Sequence, residues 1–104
     1  MIEKKLKEFE KLLEEGSFFQ AHEVLEEVWF RRRFEDDNEI KLLKGFINAS
    51  VSFELFKRGK KKQSKRVWLN YLKYRQLLFK LNTINYNLYF QTSRKIDKLK
   101  EKYD

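Results

Sequence analysis

The chain has 104 residues, with no cysteine, no proline, three glycines and a single histidine. Without cysteine there are no disulfides and no thiolate metal ligands, which fits a reducing compartment. Without proline, and with only Gly16, Gly45 and Gly59 as punctuation, little in the sequence interrupts a helix. No apolar run approaches the length needed to span a bilayer. The opening MIEKKLKEFEKLL is charged throughout, unlike a signal peptide. There is no P-loop and no glycine-rich phosphate cradle. These absences predict a soluble, cytoplasmic, all-α protein with no membrane partner. The length predicts one helical domain over residues 1–104.

What is present is apolar and charged in comparable measure. Hydrophobic residues make up 41% and charged residues 38%, enough of the first to close a modest core. The net charge of +8 is unevenly placed. Residues 1–30 hold four lysines against eight glutamates, a balance of −4, which leaves +12 for residues 31–104. A basic protein with this asymmetry suits an anionic partner. The excess of Lys, Asn, Ile, Phe and Tyr also fits a codon bias.

Apolar periodicity predicts five helices. The first runs roughly from Ile2 to Glu15, with Leu6, Phe9, Leu12 and Leu13 in its stripe and Gly16 at its end. The second begins at Ser17, where Ser17 and Gln20 have capping-box spacing, and closes on Arg31, Arg32 and Arg33. Asp36, Asp37 and Asn38 are candidate caps for a third helix from about Glu39 to Arg58. Its apolar residues spread around most of the circumference, so it should be the centre of a compact five-helix bundle. Gly45 inside it implies close approach of another backbone, and Glu54 on its apolar side needs a partner or water. A fourth helix follows from Lys60 to Leu81. The Asn-rich stretch to Asn87 reads as a connection with Ile84 and Tyr86 against the bundle, before a fifth helix from about Leu88 to Tyr103.

Chemistry concentrates in SFFQAHEVLEEVW, residues 17–29. Val24, Val28, Ala21, Leu25, Phe18 and Trp29 project as one apolar arc, with His22 and Glu26 one turn apart at its edge. Phe19 and Phe30 flank that pair, and Glu23 and Glu27 point to water. This stretch resembles the signature of the bacterial and archaeal "domain of unknown function 309" family. Phe18, Phe19, Ala21, His22, Glu23, Val24, Leu25, Glu26, Glu27 and Trp29 match it, with Gln20 where the family has glutamate. Lys44-Gly45-Phe46-Ile47-Asn48 and Arg58-Gly59 are similar to two further stretches of that family. The resemblance implies a small helical domain and brings no activity, substrate or cofactor.

Three functional classes follow. The first is a binding or interaction module with a polar centre of His22, Glu23, Glu26 and Trp29, joined by Lys44 and Asn48 from the third helix. Lys44 is placed to neutralise a glutamate and Asn48 to hydrogen-bond across the seam; the competing structural role is a His22–Glu26 hydrogen bond that fixes helix docking. Its partner would be a protein or a second copy of the chain, the acidic helices facing the basic one. The second class is nucleic-acid binding, with RNA in mind, by the basic 57–80 segment. Lys60, Lys61, Lys62, Lys65 and Arg66 would meet phosphates while Trp68, Tyr71 and Tyr74 interleave with them. The third is an acid–base or metal-assisted enzyme using His22 and Glu26. That pair is not the HExxH pattern, because Glu26 stands where a second histidine would.

Overall fold

The structure is a computed structural model that describes residues 2–103. Five α-helices account for most of it: α1 (Ile2–Glu14), α2 (Phe18–Arg32), α3 (Asn38–Lys57), α4 (Lys61–Arg75) and α5 (Tyr86–Lys100). Two 3₁₀ segments, Gln76–Lys80 and Glu101–Tyr103, follow α4 and α5, and there is no strand among the described residues. The α1–α2 and α3–α4 junctions use the same device. Gly16 and Gly59 adopt φ of 77° and 81°. In each case the glycine amide and the next amide turn back onto carbonyls of the finished helix, Gly16 to Leu13 and Ser17 to Leu12, Gly59 to Phe56 and Lys60 to Leu55. A side chain at either glycine would strain the left-handed turn, so these two glycines set where the helices reverse.

Helix α3 is central, as its all-round apolar surface requires. Phe46 contacts rings from three other helices, Phe9 on α1, Tyr71 on α4 and Tyr89 on α5. One end of α3 is closed by Phe53, which meets Phe18 of α2, Trp68 of α4 and Tyr103. Helices α3 and α4 run antiparallel and very close. A Cβ built at Gly45 would lie 2.6 Å from the Cβ of Tyr74, so only glycine permits this approach. At the opposite end Ser52 and Ser64 exchange hydroxyl-to-carbonyl hydrogen bonds of 2.8 Å in both directions. Small residues therefore line the contact, and their hydroxyls satisfy each other where no water reaches.

Several local expectations are corrected. Ser17 precedes α2 but makes no side-chain cap bond; its φ and ψ of −87° and 65° are not the extended pair that aims a hydroxyl at the first free amides. Asp37, extended at −130° and 124°, does cap α3, accepting from the Glu39 amide at 2.8 Å. The fourth helix stops at Arg75 rather than Leu81. The tighter 3₁₀ turn Gln76–Lys80 that replaces its end buries Leu78, and Leu81 follows it in extended backbone. Ile84 is not tucked in: it is 98% exposed. Glu54 finds its partner on its own helix, with Arg58 Nε at 2.7 Å.

Candidate functional site

The apolar arc of α2 docks as its spacing requires, with Phe18, Ala21 and Leu25 buried and Val24, Val28 and Trp29 half-buried. Helical geometry then places Phe19, His22, Glu23, Glu26 and Phe30 on a common neighbouring stripe. Phe19 and Phe30 are 50% and 53% exposed, so the aromatic flanks do not close over the polar pair. His22 Nδ1 stands 2.9 Å from the Phe19 carbonyl. A carbonyl only accepts, so Nδ1 donates to it. The Phe19 ring lies edge-on to the imidazole at 5.2 Å. Among the described residues His22 and Glu26 share no hydrogen bond, and neither Glu23 nor Glu26 has an ion-pair partner. The expected hydrogen bond from His22 to Glu26, one turn later, is thus replaced by one to the Phe19 carbonyl, one turn earlier.

The α3 residues are also placed differently from expectation. Lys44 neutralises no glutamate; its Nζ lies 4.0 Å from the centre of the Trp29 ring. Such a cation over an indole face is favourable and ties Trp29 of α2 to α3. Asn48 does not cross the seam, because its amide donates to the Lys44 carbonyl one turn earlier at 2.8 Å. Of the six residues in the expected polar centre, the fold brings Trp29 and Lys44 together across helices. His22, Glu23 and Glu26 remain a stripe on α2. Among the described residues no three His, Asp or Glu side chains converge to hold a metal ion, so the metal-assisted alternative finds no donor set there.

In the basic segment Lys60, Lys61, Lys62, Lys65 and Arg66 are all exposed. The aromatics between them turn inward instead of standing beside them. Tyr71 is fully buried, Trp68 packs on it at 4.7 Å, and Tyr74 covers Gly45. These five cations stand apart from the core-facing rings of α4, whose tyrosines are met instead by Lys73 over Tyr74 at 5.5 Å and Arg75 over Tyr71 at 5.7 Å.

Polar clusters outside both expected sites do cross helices. Tyr71 Oη lies 2.7 Å from Ser93 Oγ and 3.0 Å from Asp97 Oδ1; a carboxylate only accepts, so the phenol donates to Asp97 and takes the serine proton. Arg75 Nη1 holds the same Asp97 oxygen at 2.8 Å. Tyr89 donates to Glu39 Oε2 at 2.8 Å. Burial pushes both phenols well above their ordinary range, and for Tyr89 the hydrogen bond to Glu39 adds to it. Buried Glu10 accepts from Thr92 and pairs with Lys95 at 2.9 Å. The signal for these clusters lies in spacing: Tyr71 and Arg75 on one helix, Ser93 and Asp97 on another, each pair one turn apart.

The model of the family described as "Domain of unknown function (DUF309)" matches residues 6–67, from α1 into the start of α4. The chain belongs to this family. An uncharacterized protein of Aquifex aeolicus (strain VF5) is 39% identical over 54 residues, which is 52% of this chain and 16% of the relative. The chain thus spans about a sixth of that relative's length. No solved structure matches it.

Proposed function

We propose that residues 1–104 act as one helical domain serving as a protein-binding module, with Phe19, His22, Glu23, Glu26 and Phe30 of α2 as its contact stripe. The supporting observation is that these polar groups make no bond to another helix, while two half-exposed phenylalanines stand beside them. Aromatic anchors flanked by carboxylates suit a cationic helical segment that inserts apolar side chains between Phe19 and Phe30. Trp29, pinned by Lys44, and Asn48 form the bed behind the stripe. The basic outer face of α4 in a second copy is one surface of this kind, which makes a homo-oligomer a special case of the same reading. The absence of cysteine supports a cytoplasmic setting, and no described helix is long and apolar enough to cross a membrane. An acid–base role for His22 gains less support, because Glu26 does not hydrogen-bond to it.

The test is fluorescence anisotropy with a labelled amphipathic Lys/Leu helical peptide, alongside sedimentation velocity of the chain alone. Saturable binding is expected, weakened about tenfold or more by Phe30→Ala and made less salt-sensitive by Glu23→Gln with Glu26→Gln. Equal peptide affinity in the wild type and the Phe19→Ala/Phe30→Ala variant, with no change in sedimentation, would falsify the assignment of this stripe.

A further inference from the structure

A second exposed aromatic surface lies on the opposite charge. Between the 3₁₀ segment Gln76–Lys80 and α5 runs an open groove of about 1240 Å³. Phe79, 85% exposed, lines it from the 3₁₀ segment, and Phe90, 42% exposed, lines it from α5, where its ring also stacks on Tyr86 at 6.4 Å. Among the cations lining it, Arg75 is taken by Asp97 and Lys95 by Glu10 and Glu14. Arg94 and Lys98 have no carboxylate partner among the described residues, and the Arg94 guanidinium sits 5.9 Å from the Phe90 ring centre. Gln76 and Gln91 also line the groove. The surroundings carry the same sign: residues 57–103 hold fifteen Lys and Arg against Asp97 and Glu101. The groove lies beyond residues 6–67, the part that the family model matches.

We infer that this groove binds single-stranded RNA, with a base stacked on Phe79 and another against the Phe90–Arg94 platform, and with phosphates on Arg94 and Lys98. Charge complementarity selects a polyanion, and exposed phenyl rings along an open, cation-lined groove select one whose bases are unstacked. A duplex hides its base faces and leaves Phe79 without a partner. A membrane surface would be met by a contiguous apolar patch, whereas here Phe79 and Phe90 share the groove lining with Gln76, Gln91, Arg94 and Lys98. Gln76 and Gln91 each offer a donor and an acceptor, which suits the ribose 2′-hydroxyl that separates RNA from DNA. The aromatics that serve here are not the tyrosines and tryptophan of α4, which the core has taken. This inference concerns a different face from α2 and does not rest on the protein-binding reading.

The experiment is anisotropy of a short labelled oligouridylate with the full chain across a salt series. Wild-type affinity should fall steeply with salt. Phe79→Ala should weaken binding about tenfold with little change in the salt slope, since base–aromatic stacking is not ionic. Arg94→Gln with Lys98→Gln should flatten the slope by about 1.4, at roughly 0.7 per phosphate contact on a single strand. Thermal melting should be unchanged in Phe79→Ala, whose ring is almost wholly in solvent. Lys62→Gln with Lys65→Gln on the outer face of α4 is the control and should leave the Phe79 effect intact. The inference is overturned if Phe79→Ala binds like the wild type, or if the α4 control abolishes binding while the groove variants do not. It is equally overturned if oligouridylate is ignored and phosphatidylserine vesicles are bound instead, or if the DNA counterpart binds as tightly as the RNA.

Discussion

The α2 stripe and the α4–α5 seam use polar side chains in opposite ways. Along α2, His22, Glu23 and Glu26 draw attention as a motif, yet none of them bonds to another helix. Along the seam, Tyr71, Ser93, Asp97 and Arg75 form a closed set across two helices, and Tyr89 reaches Glu39 on a third. The difference is one of solvent access. A buried hydroxyl left without a partner costs about 1–3 kcal/mol, so packing forces Tyr71, Tyr89 and Ser93 of the seam onto partners, with half-exposed Asp97 and Glu39 accepting at its edge. No buried side-chain polar atom among the described residues lacks a partner. At the rim of α2 water meets the same requirement, so nothing in the fold demands that His22 or Glu26 be where it is. Polar groups that the fold does not need are the better candidates for binding.

That contrast can be broken at its strongest point first. Phe46, at 0% exposure, carries contacts to α1, α4 and α5 together. Phe46→Ala is expected to cost ~3–5 kcal/mol, which denaturant titration should report as near-complete loss of cooperative folding. A loss below about 1 kcal/mol would mean that the core collapses onto the vacancy, and the central place given to α3 would have to be abandoned.

Hydroxyl removal within the seam comes next. Tyr71→Phe leaves Ser93 without its phenol and Asp97 with Arg75 alone, and should cost about 1–3 kcal/mol at neutral pH. The same phenols give the protein an alkaline limit. Both are held protonated in the folded state, while in the unfolded chain they ionise near pH 10. Between the unfolded and folded values the unfolded chain binds fewer protons, so stability declines as pH rises. Stabilisation from this source is therefore whole below about pH 10 and drains away above it. Chemical denaturation at a series of alkaline pH values should show that decline in the wild type and a shallower one in Tyr71→Phe and Tyr89→Phe. Identical slopes in all three proteins would show that the phenols are not sealed from water.

The smallest effects belong to the α2 stripe. His22→Ala and Glu26→Gln should each change stability by no more than about 0.5 kcal/mol, the range of surface substitutions that break no network. A loss of 2 kcal/mol or more in either would return the pair to a structural role and remove the main support for a contact surface there.

Much of the architecture is legible in short-range patterns of the chain. Two glycines at helix ends, an apolar circumference on α3 and the arc Phe18, Ala21, Leu25 on α2 are local or periodic signals, and they specify five helices and the central one. The same legibility extends to Gly45, whose cost inside a helix implies the close approach that Tyr74 makes. Local rules fail where backbone direction overrides residue type. Ser17 and Gln20 have the spacing of a cap, but the turn at Gly16 delivers Ser17 with the wrong dihedrals.

What the sequence determined, then, is which residues form helices and which faces of those helices are apolar, because both depend on neighbours three and four places away. Only the tertiary structure decided which polar residues meet. Tyr71 and Asp97 are separated by 26 positions, and Glu10 and Thr92 by 82. No local pattern encodes such a pairing, which arises only when whole helices are rotated and stacked. The same rotation turns Trp68 and Tyr71 away from the lysines beside them and leaves Phe79 and Phe90 facing solvent across a groove. Helix packing, set by the small residues at Gly45 and Ser52, chose which aromatics the core would keep.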